Sequence, residues 1–340
     1  MSTATNHHIV VAQAEVFTSP LQFSAPPGIN ITQELYPNTT PDQVHERCRN
    51  ATIIVLSYLR LDAIALSEAI TPNLKFIAIA AVGTDSVDLE ACRKRGIIVS
   101  NCPAANVESV SNHVMGMYFA ARRNVIRMDR VVKDGNWFKN GHGPLVSGKM
   151  KDKNQELCLT CDEETVGILG YGSVGKKVAQ LSKALGMKVL IAGRKGANGE
   201  RTGTNIERTP FEEVLKQSTV LVVAVPRCPE TMNLISTTEF QKMSCKAVLI
   251  NISRGGIVDE NALVQALKDR SIFGAATDVF GTEPASAENS PLLADGTTDL
   301  NLTTSPHLAW YADKTMENYL TTTPTNIRNF FLGSPTNLVV

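Results

Sequence analysis

The chain has 340 residues, 43% of them hydrophobic, which is too many for one core and suits two domains of ordinary size. Lysine plus arginine and aspartate plus glutamate both total 33, so no charge imbalance favours nucleic acid or an anionic membrane as partner, and small ligands are expected. No apolar run is long enough to span a bilayer, Met1 to His8 lack a signal-peptide core, and the end at Val340 is no peroxisomal tripeptide; a cytoplasmic protein is expected.

In chain order, Ile9-Val10-Val11 reads as a first strand, after which Pro20, Pro26, Pro27 and Gly28 break the pattern. Residues 51–56 are expected as a buried strand, 62–70 as a short helix and 74–80 as another strand. A helix over 89–95 is stopped by Gly96 and followed by a strand over 97–100. This alternation predicts a parallel α/β sheet in a small domain made of about the first hundred residues. Residues 106–123 then form a long helix with Val110, Val114, Met115, Met117, Tyr118 and Ala121 around much of its circumference, buried on more than one side, joining two domains and suited to a subunit contact. Trp137 and the glycine-rich residues 140–144 are read as a loop. Seven scattered cysteines argue for free thiols in a reducing compartment; Cys158 and Cys161 form C-x-x-C, but no second pair or nearby histidine completes a metal set, and no metal is expected.

The next stretch organises the chain. An apolar run over 165–169 ends in G-x-G-x-x-G at Gly170, Gly172 and Gly175, a helix follows with Val174, Val178, Leu181 and Leu185 on one face, and residues 187–191 read as a second strand. Strand, glycine turn, helix and strand in that order predict the first unit of a Rossmann domain. Gly170 serves the tight turn, Gly172 lets a pyrophosphate approach the backbone, and Gly175 allows close helix-strand packing, while the helix N-terminus faces the phosphates. Strands over 220–225, 247–251 and 273–279, a helix over 260–268 and a terminal helix over 318–332 complete the pattern.

Three charged or titratable residues stand where parallel strands end, the place where open α/β sheets bind ligands. Arg254 precedes Gly255-Gly256, so its planar guanidinium can emerge with little neighbouring bulk and suits a carboxylate. Glu283 lies in Thr282-Glu283-Pro284 and His307 in Ser305-Pro306-His307; a histidine beside a carboxylate is a proton donor and acceptor near neutral pH. Taken singly, each has an ordinary reading, as a surface charge, a turn and a satisfied polar group. Together, downstream of a dinucleotide motif, they resemble the D-isomer-specific 2-hydroxyacid dehydrogenase family, which includes glyoxylate/hydroxypyruvate reductases and phosphoglycerate dehydrogenases. The resemblance covers nearly the whole chain, through Ala81-Val82-Gly83-Thr84-Asp85, Asp88-Leu89-Glu90-Ala91, Asn101-Cys102-Pro103-Ala104-Ala105-Asn106, the glycine turn, Ser253-Arg254-Gly255-Gly256-Ile257-Val258-Asp259, Ala276-Thr277-Asp278-Val279-Phe280, Glu283-Pro284 and Ser305-Pro306-His307.

The resemblance implies a doubly wound cofactor domain, residues 106–309, inserted into a flavodoxin-like substrate domain made of 1–105 and 310–340. It implies reduction of small 2-keto acids, with glyoxylate and hydroxypyruvate leading, to D-2-hydroxy acids in the cleft between domains, by a homodimer. His307 would exchange the proton of the substrate oxygen, Glu283 would orient the imidazole, Arg254 and the Val82-Gly83 backbone would hold the substrate carboxylate, and Asp278 would bind the nicotinamide carboxamide. Further cofactor contacts are expected at Gly170, Gly172, Ser173, Val174, Gly175, Pro226 and Ile252. Trp310 serves equally as a pocket floor or as packing. Ala81 and Ala104 replace frequent glycines of the family and Cys228 a frequent threonine; Glu283, where formate dehydrogenases carry glutamine, argues against formate.

Cofactor choice is readable from residues. After the second strand, where an NAD-binding unit places Asp or Glu for the ribose hydroxyls, this chain has Gly193, followed by Arg194 and Lys195. Loss of the carboxylate and gain of two cations predict NADP(H) over NAD(H), the alternative being a solvated loop. The rival from another class is a nucleotide-sensing, corepressor-like binding protein on the same fold, though this chain has neither an evident long tail nor a basic face.

Overall fold

The computed structural model describes residues 5–137, 145–196 and 207–340, so the loop expected at 140–144 lies outside it. The chain divides into two compact units, Met1–Asn106 with Tyr311–Val340, and Val107–Trp310. The first unit runs β1 (Thr5–Val11), β2 (Ile29–Leu35), α1 (Val44–Arg47), β3 (Ile53–Leu56), β4 (Phe76–Ile79), α2 (Leu89–Arg95) and β5 (Ile98–Ser100). The second runs α3 (Val107–Arg122), α4 (Val125–Lys133), β6 (Thr165–Leu169), α5 (Ser173–Ala184), β7 (Lys188–Ile191), α6 (Phe211–Gln217), β8 (Val220–Val223), α7 (Thr237–Phe240), β9 (Val248–Asn251), α8 (Glu260–Lys268), β10 (Gly274–Thr277) and β11 (Leu302–Thr304). The chain then re-enters the first unit through α9 (Asp313–Phe331).

In the first unit five parallel strands stand in the order β2-β1-β3-β4-β5, the flavodoxin-like arrangement expected. β3 and β4 are apolar throughout and buried throughout, as strands covered on both faces must be. Phe330 of α9 stacks on Phe76 of β4 with ring centroids 4.6 Å apart, tying the C-terminal helix to this sheet. At the switch point between β1 and β3, Gln13, 1% exposed, turns its side-chain oxygen onto the N–H groups of Ser57, Tyr58 and Leu59 at 3.0, 2.9 and 2.8 Å. The concavity where a ligand could sit is filled by the protein's own amide.

Several elements depart from the sequence reading. Residues 62–70 form successive turns, not a helix, because the Asp62 carboxylate caps Ile64 and Ala65 and no run of helical bonds follows. β2 goes unread because INITQEL is mostly exposed and its alternate apolar positions, Ile29, Ile31 and Leu35, are interrupted by Gln33. α9 begins at Asp313, five residues before the expected start, and passes through Pro324.

The second unit holds six parallel strands in the order β11-β10-β9-β8-β6-β7, a Rossmann arrangement with its switch point between β6 and β8. On α5 the buried stripe is Gly175, Val178, Ala179 and Ser182, whereas Leu185, expected inside, is 38% exposed. α3 is anchored beside this sheet by Arg122, 1% exposed, whose guanidinium pairs with buried Glu164 and donates to the carbonyls of Lys246 and Thr219 at 2.7 and 2.8 Å. With every guanidinium nitrogen bonded, removing one partner would leave an uncompensated buried charge, so the pair ties α3 to the sheet in a directed geometry. All seven cysteines are free thiols; burial pushes Cys48 up to about 12 and Cys92 and Cys102 up to about 11, so these three stay protonated and inert.

Candidate active site

The glycine turn can be tested one residue at a time. Gly170 sits at φ +96°, and a Cβ there would lie 2.3 Å from the Ala224 carbonyl oxygen, so the loops after β6 and β8 meet only because it has none. A Cβ on Gly175 would lie 2.1 Å from the Gly170 oxygen, which is the close helix-strand contact expected of it. Gly172, the residue capping α5, is different: a Cβ there meets no protein atom within 4 Å. Nothing in the protein requires glycine at that position, whereas a phosphate at the helix N-terminus does. Ser173 is exposed in the first turn of the helix and Val174 is half-buried behind it, so the turn fits a dinucleotide pyrophosphate.

At the end of β7 the chain makes a bridge to residues 207–209. Gly193 N–H donates to Thr209 O at 2.8 Å, and Arg208 donates to the Ala192 carbonyl at 2.9 Å. Arg194 is exposed. Lys195, expected as a second phosphate cation or a solvated charge, is exposed, and its ammonium lies 2.9 Å from the Glu239 carboxylate, a group 3% exposed, and donates to Leu234 O at 3.3 Å. A buried carboxylate needs its partner, and Lys195 supplies it. Arg208 stands beside the same strand end, and no local sequence signal marks it, because only the bridge between Ala192 and Thr209 brings it there. Of the remaining cofactor candidates, Pro226 is exposed after β8 and its carbonyl accepts the Thr231 hydroxyl at 2.7 Å, while Ile252, 8% exposed, directly follows β9.

The loops after β9 and β10 carry Arg254 and Glu283. They touch: a Cβ on Gly255 would fall 1.7 Å from the Phe280 oxygen, so glycine beside Arg254 is what lets the two loops meet. The Arg254 guanidinium donates to Ser253 O at 2.7 Å. Glu283 accepts the Phe280 N–H at 2.9 Å through one oxygen and lies 2.7 Å from His307 Nδ1 through the other. Burial pushes the Glu283 carboxyl upward, but the His307 contact, the Phe280 N–H and the positive charges of His307 and Arg254 outweigh it and hold the group below the ordinary 4.5. Arginine, glutamate and histidine are therefore one electrostatic unit.

His307 is held in the left-handed region at φ +54°, where a residue with a side chain rarely sits. Its N–H donates to Asp278 O at 2.8 Å, and the Trp310 indole N–H donates to its carbonyl at 2.8 Å. Trp310 thus staples the histidine loop; its expected part as a pocket floor is not visible within this unit. Asp278, 1% exposed, accepts the N–H groups of Leu308 and Ala309 at 3.0 and 2.9 Å and the Ser305 hydroxyl at 2.6 Å. Sequence reasoning, which assigned Asp278 to the cofactor, missed this grip on the loop. Val82 and Gly83 follow β4 in the first unit, where Val82 O accepts the Asn101 side-chain amide at 2.7 Å. Among the described residues no cluster of His, Cys, Asp or Glu could hold a metal ion, and no helix is long and apolar enough to cross a membrane.

Comparison with known proteins agrees with this geometry. Residues 115–309 match the D-isomer specific 2-hydroxyacid dehydrogenase, NAD binding domain. Glycerate dehydrogenase of Methylorubrum extorquens is 36% identical over 307 residues, spanning 88% of this chain and 89% of its own. Glyoxylate reductase of Aeropyrum pernix is 33% identical over 283 residues, spanning 82% and 80%. A crystal structure of D-lactate dehydrogenase from Aquifex aeolicus with NAD and lactic acid matches with a TM-score of 0.73 and 28% identity, over 89% of this chain and 90% of that one. A glycine turn open only to a ligand, and a histidine paired to a glutamate at the same sheet edge, thus occur on a chain that belongs to the D-isomer specific 2-hydroxyacid dehydrogenase family, enzymes that interconvert 2-keto and 2-hydroxy acids with NAD(P).

Proposed function

We propose that this dehydrogenase works as a reductase of small 2-keto acids, with glyoxylate and hydroxypyruvate leading, forming D-2-hydroxy acids with NADPH in preference to NADH, as a cytoplasmic homodimer. The observation that carries the reading is the 2.7 Å contact between His307 Nδ1 and Glu283 at the strand ends that also present Arg254. A carboxylate only accepts, so Nδ1 carries the hydrogen and Nε2 is left for the substrate oxygen. In reduction Nε2–H gives its proton to the carbonyl oxygen as that oxygen gains charge, and in oxidation Nε2 takes it back. Glu283 stabilises the imidazolium and fixes the ring. Arg254 and the backbone at Val82 and Gly83 would bind the substrate carboxylate, the guanidinium presenting its fork of donors. The bound nicotinamide would supply the hydride, with Asp278 at its carboxamide and Ile252 and Pro226 as further cofactor contacts.

Support for the substrate class comes from relatives named glycerate dehydrogenase and glyoxylate reductase. For NADPH it is Gly193, with no carboxylate to repel a 2′-phosphate, followed by Arg194 and by Lys195, which also pairs with Glu239, with Arg208 beside the same strand end. For a homodimer it is α4, which buries no residue and leaves Val125, Ile126 and Val132 about half exposed at 49, 52 and 54%. The test is a steady-state panel of glyoxylate, hydroxypyruvate, pyruvate and phenylpyruvate with each cofactor, together with His307→Ala. The expected result is glyoxylate or hydroxypyruvate first and a loss of roughly 10²–10⁴-fold in kcat for the variant. Turnover of the variant within a few-fold of the parent, or no cofactor oxidation with any keto acid, overturns the reading.

A further inference from the structure

Another histidine stands beside the loop that carries His307. His113, on α3, places Nε2 2.9 Å from Ser305 Oγ and 3.7 Å from Asp278 Oδ1. One turn earlier on the same helix, Ser109 Oγ donates to Trp310 O at 3.3 Å, so α3 grips both ends of the 305–310 loop that carries His307.

Proton directions follow from chemistry. The Ser305 hydroxyl has one hydrogen and stands 2.6 Å from Asp278 Oδ1, and a carboxylate can only accept, so the hydrogen points to Asp278. The serine oxygen must then accept from His113, which carries its hydrogen on Nε2. A directed chain runs from His113 through Ser305 to Asp278, and Asp278 in turn accepts the N–H groups of Leu308 and Ala309. A carboxylate at 1% exposure is costly unless its partners are complete. The left-handed backbone of His307 persists only while its surroundings over-determine it.

We propose that His113 and Ser305 are positioning residues for the acid–base histidine: they complete the hydrogen bonding of buried Asp278, and Asp278 holds the Ser305–Trp310 loop so that His307 faces both Glu283 and the substrate. The inference rests on His307 being the proton-transferring residue. Neither residue touches the reacting atoms; each acts through the loop, and a small misplacement of the imidazole costs rate out of proportion to stability.

The experiment compares His113→Ala, His113→Gln, Ser305→Ala, Ser305→Thr and His307→Asn in the full chain, measuring kcat, KM for keto acid and cofactor, the pH profile of kcat/KM and Tm. His113→Ala and Ser305→Ala are expected to lower kcat about tenfold or more with cofactor KM changed less than threefold. The alkaline limb of the reduction profile moves to lower pH as the imidazolium loses alignment with the Glu283 carboxylate. Gln at 113 keeps an N–H donor in place of Nε2–H and Thr at 305 keeps the hydroxyl, so both return kcat to within about threefold of the parent. If the alanine variants lose Tm but keep kcat and the pH profile at temperatures well below unfolding, the network is structural only and the proposal is wrong. Should an alanine variant fail to fold, the conservative pair decides: Gln and Thr variants that fold normally and still lose tenfold in kcat overturn the donor chain. An inactive His307→Asn beside fully active His113 and Ser305 variants sinks this inference alone, whereas an active His307→Asn sinks the acid–base assignment beneath it.

Discussion

Two sheets of the same design end differently in this chain. Both are wholly parallel, and both reverse strand order once, between β1 and β3 in the first unit and between β6 and β8 in the second. At the first reversal Gln13 satisfies three consecutive backbone N–H groups from inside the protein. At the second, a Cβ on Gly172, the residue capping α5, would meet no atom of the described residues within 4 Å. Fold alone therefore does not make a ligand site; what occupies the crevice decides. A neutral side-chain amide closes one, and the absence of a side chain opens the other.

The largest effect expected from this contrast is at Gly172. Its φ of −76° and ψ of −162° are extended, so Gly172→Val should fold with Tm within about 3 °C of the parent. The branched side chain stands where phosphates approach, and cofactor Kd should rise about a hundredfold, roughly 2.7 kcal/mol. Gly175→Ala is the control, since its Cβ would meet the Gly170 oxygen at 2.1 Å; it should lose stability by about 1–3 kcal/mol. Normal NADPH binding by Gly172→Val, measured by calorimetry, would show that the turn is not the phosphate site.

Next comes the closed crevice. Gln13→Leu removes the acceptor shared by the N–H groups of Ser57, Tyr58 and Leu59, and should cost about 2 kcal/mol in denaturant unfolding. An unchanged midpoint would mean that the three N–H groups find water and that the crevice is not sealed.

What could be read in advance follows the same division. The glycine turn was legible because sterics leave one residue type at Gly170 and Gly175, and α2 because Asp88 caps Ala91 N–H and Gly96 stops it at φ +65°. Arg254, Glu283 and His307 were legible as a pattern, and the 2.7 Å contact joins two of them. Hidden were features decided by partners distant in sequence. The pairing of Lys195 with Glu239 has no local signal, Arg208 arrives by strand bridging, and His113 meets Ser305 across 192 residues. β2 was hidden for another reason: on an edge strand exposed along most of its length the alternation of Ile29, Ile31 and Leu35 is short and broken by Gln33, too weak to read.

An open crevice must still choose its ligand, and this gives a smaller effect. Among the described residues a Cβ on Gly193 would have only the Thr209 oxygen within 4 Å, at 3.6 Å, so Gly193→Asp meets no clash with them. Combined with Arg194→Ala it should move the NADPH:NADH ratio of kcat/KM toward NADH by about tenfold, near 1.4 kcal/mol. Adding Arg208→Ala should extend the shift, while Lys195→Ala should lower Tm through buried Glu239. A parent enzyme that already favours NADH would show that this loop does not read the phosphate.

The smallest effect separates the two crevices by pH. Gln13 is neutral, so the stability lost in Gln13→Leu should be constant across the acid range. Glu283 is held below its ordinary 4.5, because the His307 contact and the Phe280 N–H overcome its burial. A group depressed in the folded state adds stability that is fully present above the unfolded value and disappears as pH falls through the folded one. Glu283→Gln should therefore be less stable than the parent near pH 6, with the gap closing as the solution is taken down through and below pH 4.5. The gap should stay under about 1 kcal/mol, because His307 and Glu283 are 36% and 35% exposed and solvent screens their attraction. Urea midpoints at a series of pH values provide the measurement. A gap that widens toward acid would reverse the sign and mean that Glu283 is protonated more readily folded than unfolded, in which case it could not hold His307 charged.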